Sequence, residues 1–129
     1  MTAKEVVESY SIALSKGDIP KAFSFFSSDA MWHQPGNNKF SGTKIGIEDI
    51  GKMLGDMMGA TQGSLVVKPN GALMVNGNQV ASPVQFIAAI DSKKIDMTGI
   101  DLFEVKDGKI TQVWLFSKDQ EKEDEFWGK

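Results

Sequence analysis

The sequence predicts an α+β domain in which three helices precede an antiparallel meander. Apolar residues recur at helical spacing as far as residue 59, and from residue 62 the pattern becomes alternating. Asn76-Gly77, Asp107-Gly108 and Asp91-Ser92-Lys93 then punctuate the alternating region as hairpin turns. No repeat or linker interrupts the 129 residues, so residues 1–129 read as a single domain.

Thr2-Ala3-Lys4-Glu5 has the form of a capping box, in which a threonine oxygen and a glutamate three residues on satisfy each other's exposed amides. Val6, Val7, Tyr10, Ala13 and Leu14 supply the buried stripe behind it, and Gly17 is placed to end the helix. Asp18-Ile19-Pro20 starts a second helix, with proline in the first turn where no amide donor is needed. Its expected stripe is Ile19, Ala22, Phe23 and Phe26. Residues 30 to 35 read as a short strand closed by Pro35-Gly36-Asn37-Asn38. A third helix, from about Gly46 to Gly59, carries Ile47, Ile50, Leu54, Met57 and Met58 on one side. Gly51, Gly55 and Gly59 share another stripe of it, at a cost of about 1 kcal/mol each relative to alanine. Close backbone approach, a mobile cavity wall or plain tolerance would each account for them. Strands follow near 62–69, 73–91 (broken by the Asn-Gly turn), 94–105 and 109–117. Asp119 to Trp127 reads as a short helix or tail, with Asp119 to Glu125 a solvated face.

Composition narrows the function. Apolar residues make up 41% and charged residues 24%, the profile of a soluble globule with a core. A net charge of −3 without a basic block argues against a nucleic-acid partner. Zero cysteines exclude disulfides, a thiol nucleophile and thiolate metal sites, and one histidine leaves no room for a His-rich metal centre. Apolar runs fall far short of the roughly 20 residues that cross a bilayer, and Thr2, Lys4 and Glu5 do not open a signal peptide. A cytoplasmic protein without membrane contact, metal or cofactor is the expectation.

Alternation along the strands is more informative. One face of 97–105 holds Met97, Gly99, Asp101, Phe103 and Val105, and the other holds Thr98, Ile100, Leu102 and Glu104. In 110–117 the alternation sets Thr111, Val113, Leu115 and Ser117 against Ile110, Gln112, Trp114 and Phe116. A sheet with one wet face should be polar on that face, and this one is apolar on both. Helices can cover only one of them, and a second copy of the chain is the simplest cover for the other, giving a homodimer through the outer sheet face. Asp101 interrupts the inner face, where a carboxylate needs a partner or becomes neutral. It is either a functional group or a cap for a backbone amide or buried water.

The helix ending in Lys16-Gly17-Asp18, the segment Asp29-Ala30-Met31-Trp32-His33-Gln34-Pro35 and the strand-turn-strand from Asp101 to Ile110 stand in an order and spacing that resembles the NTF2-like superfamily. Within it, the SnoaL-like proteins and ketosteroid isomerases are most similar. The resemblance covers nearly the whole chain and implies a cone, a strongly curved, mixed but largely antiparallel sheet wrapped around three N-terminal helices, with an apolar pocket at its open end. Tyr10, seven residues before Gly17, is similar in position to the isomerases' oxyanion-hole tyrosine. Asp101 resembles their second oxyanion donor, a carboxylic acid kept protonated by an apolar site. Their general base, a carboxylate just before a proline, is replaced here by Gln34, an amide that accepts no proton at neutral pH. His33 is the neighbouring base, and alternation points it away from Trp32 and Gln34.

Two functions compete. One is a cofactor-independent isomerase, cyclase or lyase acting on a small apolar substrate, with Asp101 as acid/base and Tyr10 as donor to a developing oxyanion. The other is a binding protein without turnover, natural or engineered, in which Tyr10, Gln34 and Asp101 orient a rigid hydrophobic, steroid-like ligand. A pure dimerisation module is a third. The expected lining comes from Trp32 on the first strand and from Met57 and Met58 on the third helix. Val84, Phe86 and Ala88 join from the next long strand, then Met97, Gly99 and Phe103, and finally Val113 and Leu115. Small Ala88 and Gly99 would enlarge the pocket.

Overall fold

Helix α1 (Ala3–Ser15) starts on the capping box. In the computed structural model, which describes residues 1–129, the Glu5 amide donates to Thr2 Oγ1 at 3.2 Å and the Thr2 amide to Glu5 Oε1 at 2.9 Å. The helical period buries Val6, Val7, Tyr10 and Ala13. Gly17, at φ +72°, turns the chain out of the helix, and Asp18 caps α2 (Ile19–Ser24) by accepting from the Lys21 amide at 3.2 Å. Helix α2 has only six residues, too few to bury the expected stripe: Ile19 is exposed, and Phe26 opens β1 (Phe26–Gln34) instead.

Strand β2 (Gly42–Ile45) is a four-residue edge, mostly exposed, with no hydrophobic alternation to reveal it in the sequence. Helix α3 (Gly46–Ala60) buries Ile50, Met53 and Met57. Met58 is 43% exposed, because adjacent helical residues diverge by about 100° and cannot share the buried stripe. A side chain at Gly51 would touch Phe23 at an ordinary 3.6 Å, and at Gly55 and Gly59 it would meet open space. The glycine stripe is therefore tolerated and makes no close backbone contact.

Strands β3 (Val66–Pro69), β4 (Met74–Asn76), β5 (Gln79–Ile90), β6 (Lys93–Lys106) and β7 (Lys109–Ser117) complete a sheet of order β2-β1-β7-β6-β5-β3, with β4 also on β5. The β1–β7 pair is parallel and the others antiparallel. Asp91 and the Asp107-Gly108 pair take the positive φ that tight hairpins need. Alternation holds along β6, where Ile95, Met97, Phe103 and Val105 are buried against the helices and Ile100 is exposed. It fails at one point on β7. Glu104 pairs with Gln112 but Val105 pairs with Ile110, so Thr111 is an extra, bulged residue. Ile110 is thereby fully buried inside, and Thr111 faces outward and donates to Glu104 Oε1 at 2.7 Å, the reverse of strict alternation.

The C-terminal segment is a docked helix, α4 (Gln120–Trp127), and not a solvated face. Phe126 and Trp127 join the core, and Glu123 is buried with them. Asp124 Oδ1 accepts from the Asn37 amide at 3.0 Å and from Asn38 Nδ2 at 2.8 Å, while Trp127 meets Phe40 edge to face at 5.0 Å. These contacts tie α4 to the loop after β1.

Candidate functional site in the cone

Ladder register lines up polar groups on the concave face. Asp101 pairs with Ser82 on β5 and with Leu115 on β7. His33 pairs with Trp114, so Gln34 continues beside Leu115. The row Gln34–Leu115–Asp101–Ser82 thus crosses four strands, with Gln34 and Asp101 about 10 Å apart by strand spacing. The row beneath it, Trp32–Val113–Phe103–Val80, is apolar and buried. Tyr10 rises from α1 on that floor, its ring edge-on to Phe26 at 5.2 Å and to Phe103 at 5.7 Å.

Asp101 is half-buried, with protein packed closely around its carboxyl. Ser27 Oγ is the one fully buried side-chain polar atom without a hydrogen bond. The Tyr10 hydroxyl and the Asp101 carboxyl also bond to no protein group, but neither is completely closed off. Asp101 therefore caps no backbone amide. Enclosure pushes its carboxyl up to about 7, with the nearby Glu123 charge adding to the effect. Burial, and secondarily the charge of Asp101, raises the Tyr10 hydroxyl as well, so it stays a donor. The Trp32 indole donates to Gln34 Oε1 at 2.9 Å, which leaves the Gln34 amide nitrogen as a donor. Two donors and an acid of raised pKa on an apolar wall can hold a ligand oxygen and stabilise charge developing on it.

The expected lining residues Trp32, Met57, Val84, Ala88, Met97, Phe103 and Val113 are buried, and Phe86 and Leu115 are half-buried on the same face. Met58 is not among them. Gly99 is a correction of another kind: a side chain there would collide with the Phe116 backbone carbonyl, so the position serves the close β6–β7 approach and not pocket volume. Gly99→Ala is expected to lower stability by about 2 kcal/mol, read by urea unfolding, because the obstacle is backbone. His33 lies on the convex face as alternation indicated, stacked on Trp114 at 5.2 Å, with Nδ1 3.1 Å from Thr43 Oγ1 and Nε2 2.9 Å from Gln112 Oε1.

Ser82, Ser117 and Glu123 were not foreseen. Glu123 Oε1 accepts from Ser117 Oγ at 2.7 Å and Gln120 Nε2 at 3.0 Å, and Oε2 accepts from Trp127 Nε1 at 3.2 Å. Its place four residues before Trp127 and three before Phe126 puts it on the only apolar face of α4, the signal that could have found it. Two open grooves lie elsewhere. One of about 540 Å³ runs between Lys39, Lys44 and Lys52, where Lys52 is already paired with Asp56 at 3.0 Å. The other, about 320 Å³, lies at Ile100 and Phe116. Neither includes Tyr10, Gln34 or Asp101.

Helices filling a curved, mixed sheet make this an NTF2-like, cystatin-like cone. A crystal structure of a protein of unknown function with cystatin-like fold from Xanthomonas campestris superposes with a TM-score of 0.94 at 39% identity, over 100% of both chains. Bal32a, from a soil-derived mobile gene cassette, gives 0.91 at 25% identity over 97% of this chain and 95% of its own. The uncharacterized protein Rv0034 of Mycobacterium tuberculosis is 26% identical over 115 residues, 89% of this chain and 88% of that one. The SnoaL-like domain family matches residues 6–113, and the chain belongs to that family.

Proposed function

We propose that this SnoaL-like protein binds a small apolar molecule in the cone and performs acid/base chemistry on it, an isomerisation, cyclisation or lyase step without a cofactor. The observation that supports this most is the enclosed, unpartnered Asp101 beside the equally unpartnered Tyr10 hydroxyl. A protonated Asp101 and Tyr10 together donate to a substrate carbonyl and stabilise the enolate formed as its α-proton passes to a water in the cone. The ionised Asp101 takes up a proton in the complementary step. The binding reading keeps the same pocket without turnover, and the amide at Gln34, where the isomerases have a carboxylate base, supports it.

Exchange of the α-hydrogens of 1-tetralone in deuterium oxide separates the two. Accelerated exchange that falls about a hundredfold in Asp101→Asn, with tetralone affinity kept, is the expected result. Tetralone binding with no exchange in the parent chain leaves the binding reading.

The convex face supports a homodimer. Ile100 and Phe116 are exposed there beside Leu102 and Trp114. Its polar groups are already satisfied: Gln112 Oε1 meets His33, and Gln112 Nε2 and Thr111 both donate to Glu104. Covering this face with a second copy leaves few polar groups stranded.

A further inference from the structure

Glu123 is the only charged residue among the buried ones, and no cation pairs with it. Burying an ionisable group costs several kcal/mol unless donors or an opposite charge compensate. Three donors reach this carboxylate, from Ser117, Gln120 and Trp127. Both oxygens are used, since Ser117 and Gln120 reach Oε1 and Trp127 reaches Oε2, so the position takes a carboxylate where a glutamine would offer one acceptor too few. Ser117 pairs with Gly99, and Gly99 stands two residues before Asp101 on the same strand. Ser117 and Asp101 are thus diagonal neighbours, about 7–8 Å apart between backbones. Gly99 has no side chain to stand between them. The hydroxyl that holds Glu123 therefore places that carboxylate beside the row containing Asp101.

We propose that Glu123, brought to the cone by α4, is a positioning residue whose negative charge holds Asp101 as the site's acid. The proposal rests on the reading of Asp101 given above. Asp101 is faced by Tyr10 from α1 and by Glu123 from α4, and of these it is the Glu123 charge that opposes ionisation of Asp101. The one lysine bonded to α4, Lys93, donates to the Phe126 carbonyl at 3.0 Å, at the far end of the helix from Asp119. Docking of α4 and the acidity of the site are consequently linked: a chain with α4 displaced presents a more acidic Asp101. The C-terminal helix is in this sense part of the chemistry, although none of its residues need touch the ligand.

The test is a carbon-13 NMR titration of side-chain carboxyls in the full-length chain, with Asp101 assigned through Asp101→Asn. The parent midpoint is expected near 7. Glu123→Gln, which keeps a carbonyl acceptor for Ser117 and Gln120 and gives up the one for Trp127, is expected to lower it by about half a pH unit or more, and Glu123→Asp to keep it raised. In the parent chain the Glu123 carboxyl carbon is expected to show an inflection at the midpoint of Asp101, a readout that needs no folded variant. An unchanged midpoint in Glu123→Gln, or no such inflection, overturns the proposal and leaves Asp101 as the acid. A parent midpoint near the ordinary 3.8 overturns both readings together.

Discussion

Asp101→Asn melts about 10 °C above the parent chain at pH 8, and close to it at pH 4. The sign follows from the carboxyl's being raised from 3.8 to about 7 on folding. Between those values the folded chain binds a proton that the unfolded chain has released, so stability falls as pH rises. The contribution is fully present below the unfolded value and is lost through the folded one. Above pH 7 the parent must carry an enclosed carboxylate without a partner, at a cost of roughly 2–4 kcal/mol. Asparagine has the same shape and no charge to desolvate, so the whole of that cost disappears. For a domain of this size such a gain corresponds to the stated shift. Thermal scans at the two pH values check it. Equal shifts at both, or destabilisation at pH 8, would mean that Asp101 has a partner in solution.

Paired charges on the convex face have the other large effect. Ile100→Glu with Phe116→Glu is expected to turn a dimer into a monomer, weakening association at least a thousandfold. Two like charges would then face their own copies across a two-fold axis, in place of apolar area. Trp114→Ala alone is expected to weaken it about a hundredfold, the effect of removing a central aromatic anchor worth roughly 2–3 kcal/mol. These side chains stand outside the core, so the circular dichroism spectrum should not change. Sedimentation equilibrium reads the outcome, and a parent chain monomeric at micromolar concentration contradicts the dimer.

Much of the molecule was legible in residue patterns because the patterns were physical constraints. Thr2 and Glu5 can satisfy each other only at a helix start, and Asp107-Gly108 suits a turn with positive φ at both positions. Alternation placed Asp101 and Phe103 inward and His33 outward. Where it failed, one residue of local irregularity was responsible. The bulge at Thr111 exchanged its face with that of Ile110, and neither the turn nor the composition announces a bulge. Gly99 looked like a small lining residue, but its reason is a backbone approach across the ladder, which exists only once β7 is in place. Glu123 was hidden by its neighbours. In a run of charged residues, a single buried carboxylate shows only through the Phe126 and Trp127 that share its helical face.

Whether the cone interior is the binding site is tested most directly by mapping 1-tetralone onto the chain with nitrogen-15 NMR. The Trp32 indole and the Gln34 side-chain amide, joined by a 2.9 Å hydrogen bond, report from inside the cone, and the Trp114 indole reports from the convex face. Tetralone should shift the Trp32 and Gln34 resonances saturably and leave Trp114 in place, and Asp101→Asn should keep both the shifted resonances and the affinity. Shifts confined to Trp114, or to the lysine-lined groove at Lys39 and Lys52, would contradict a site in the cone.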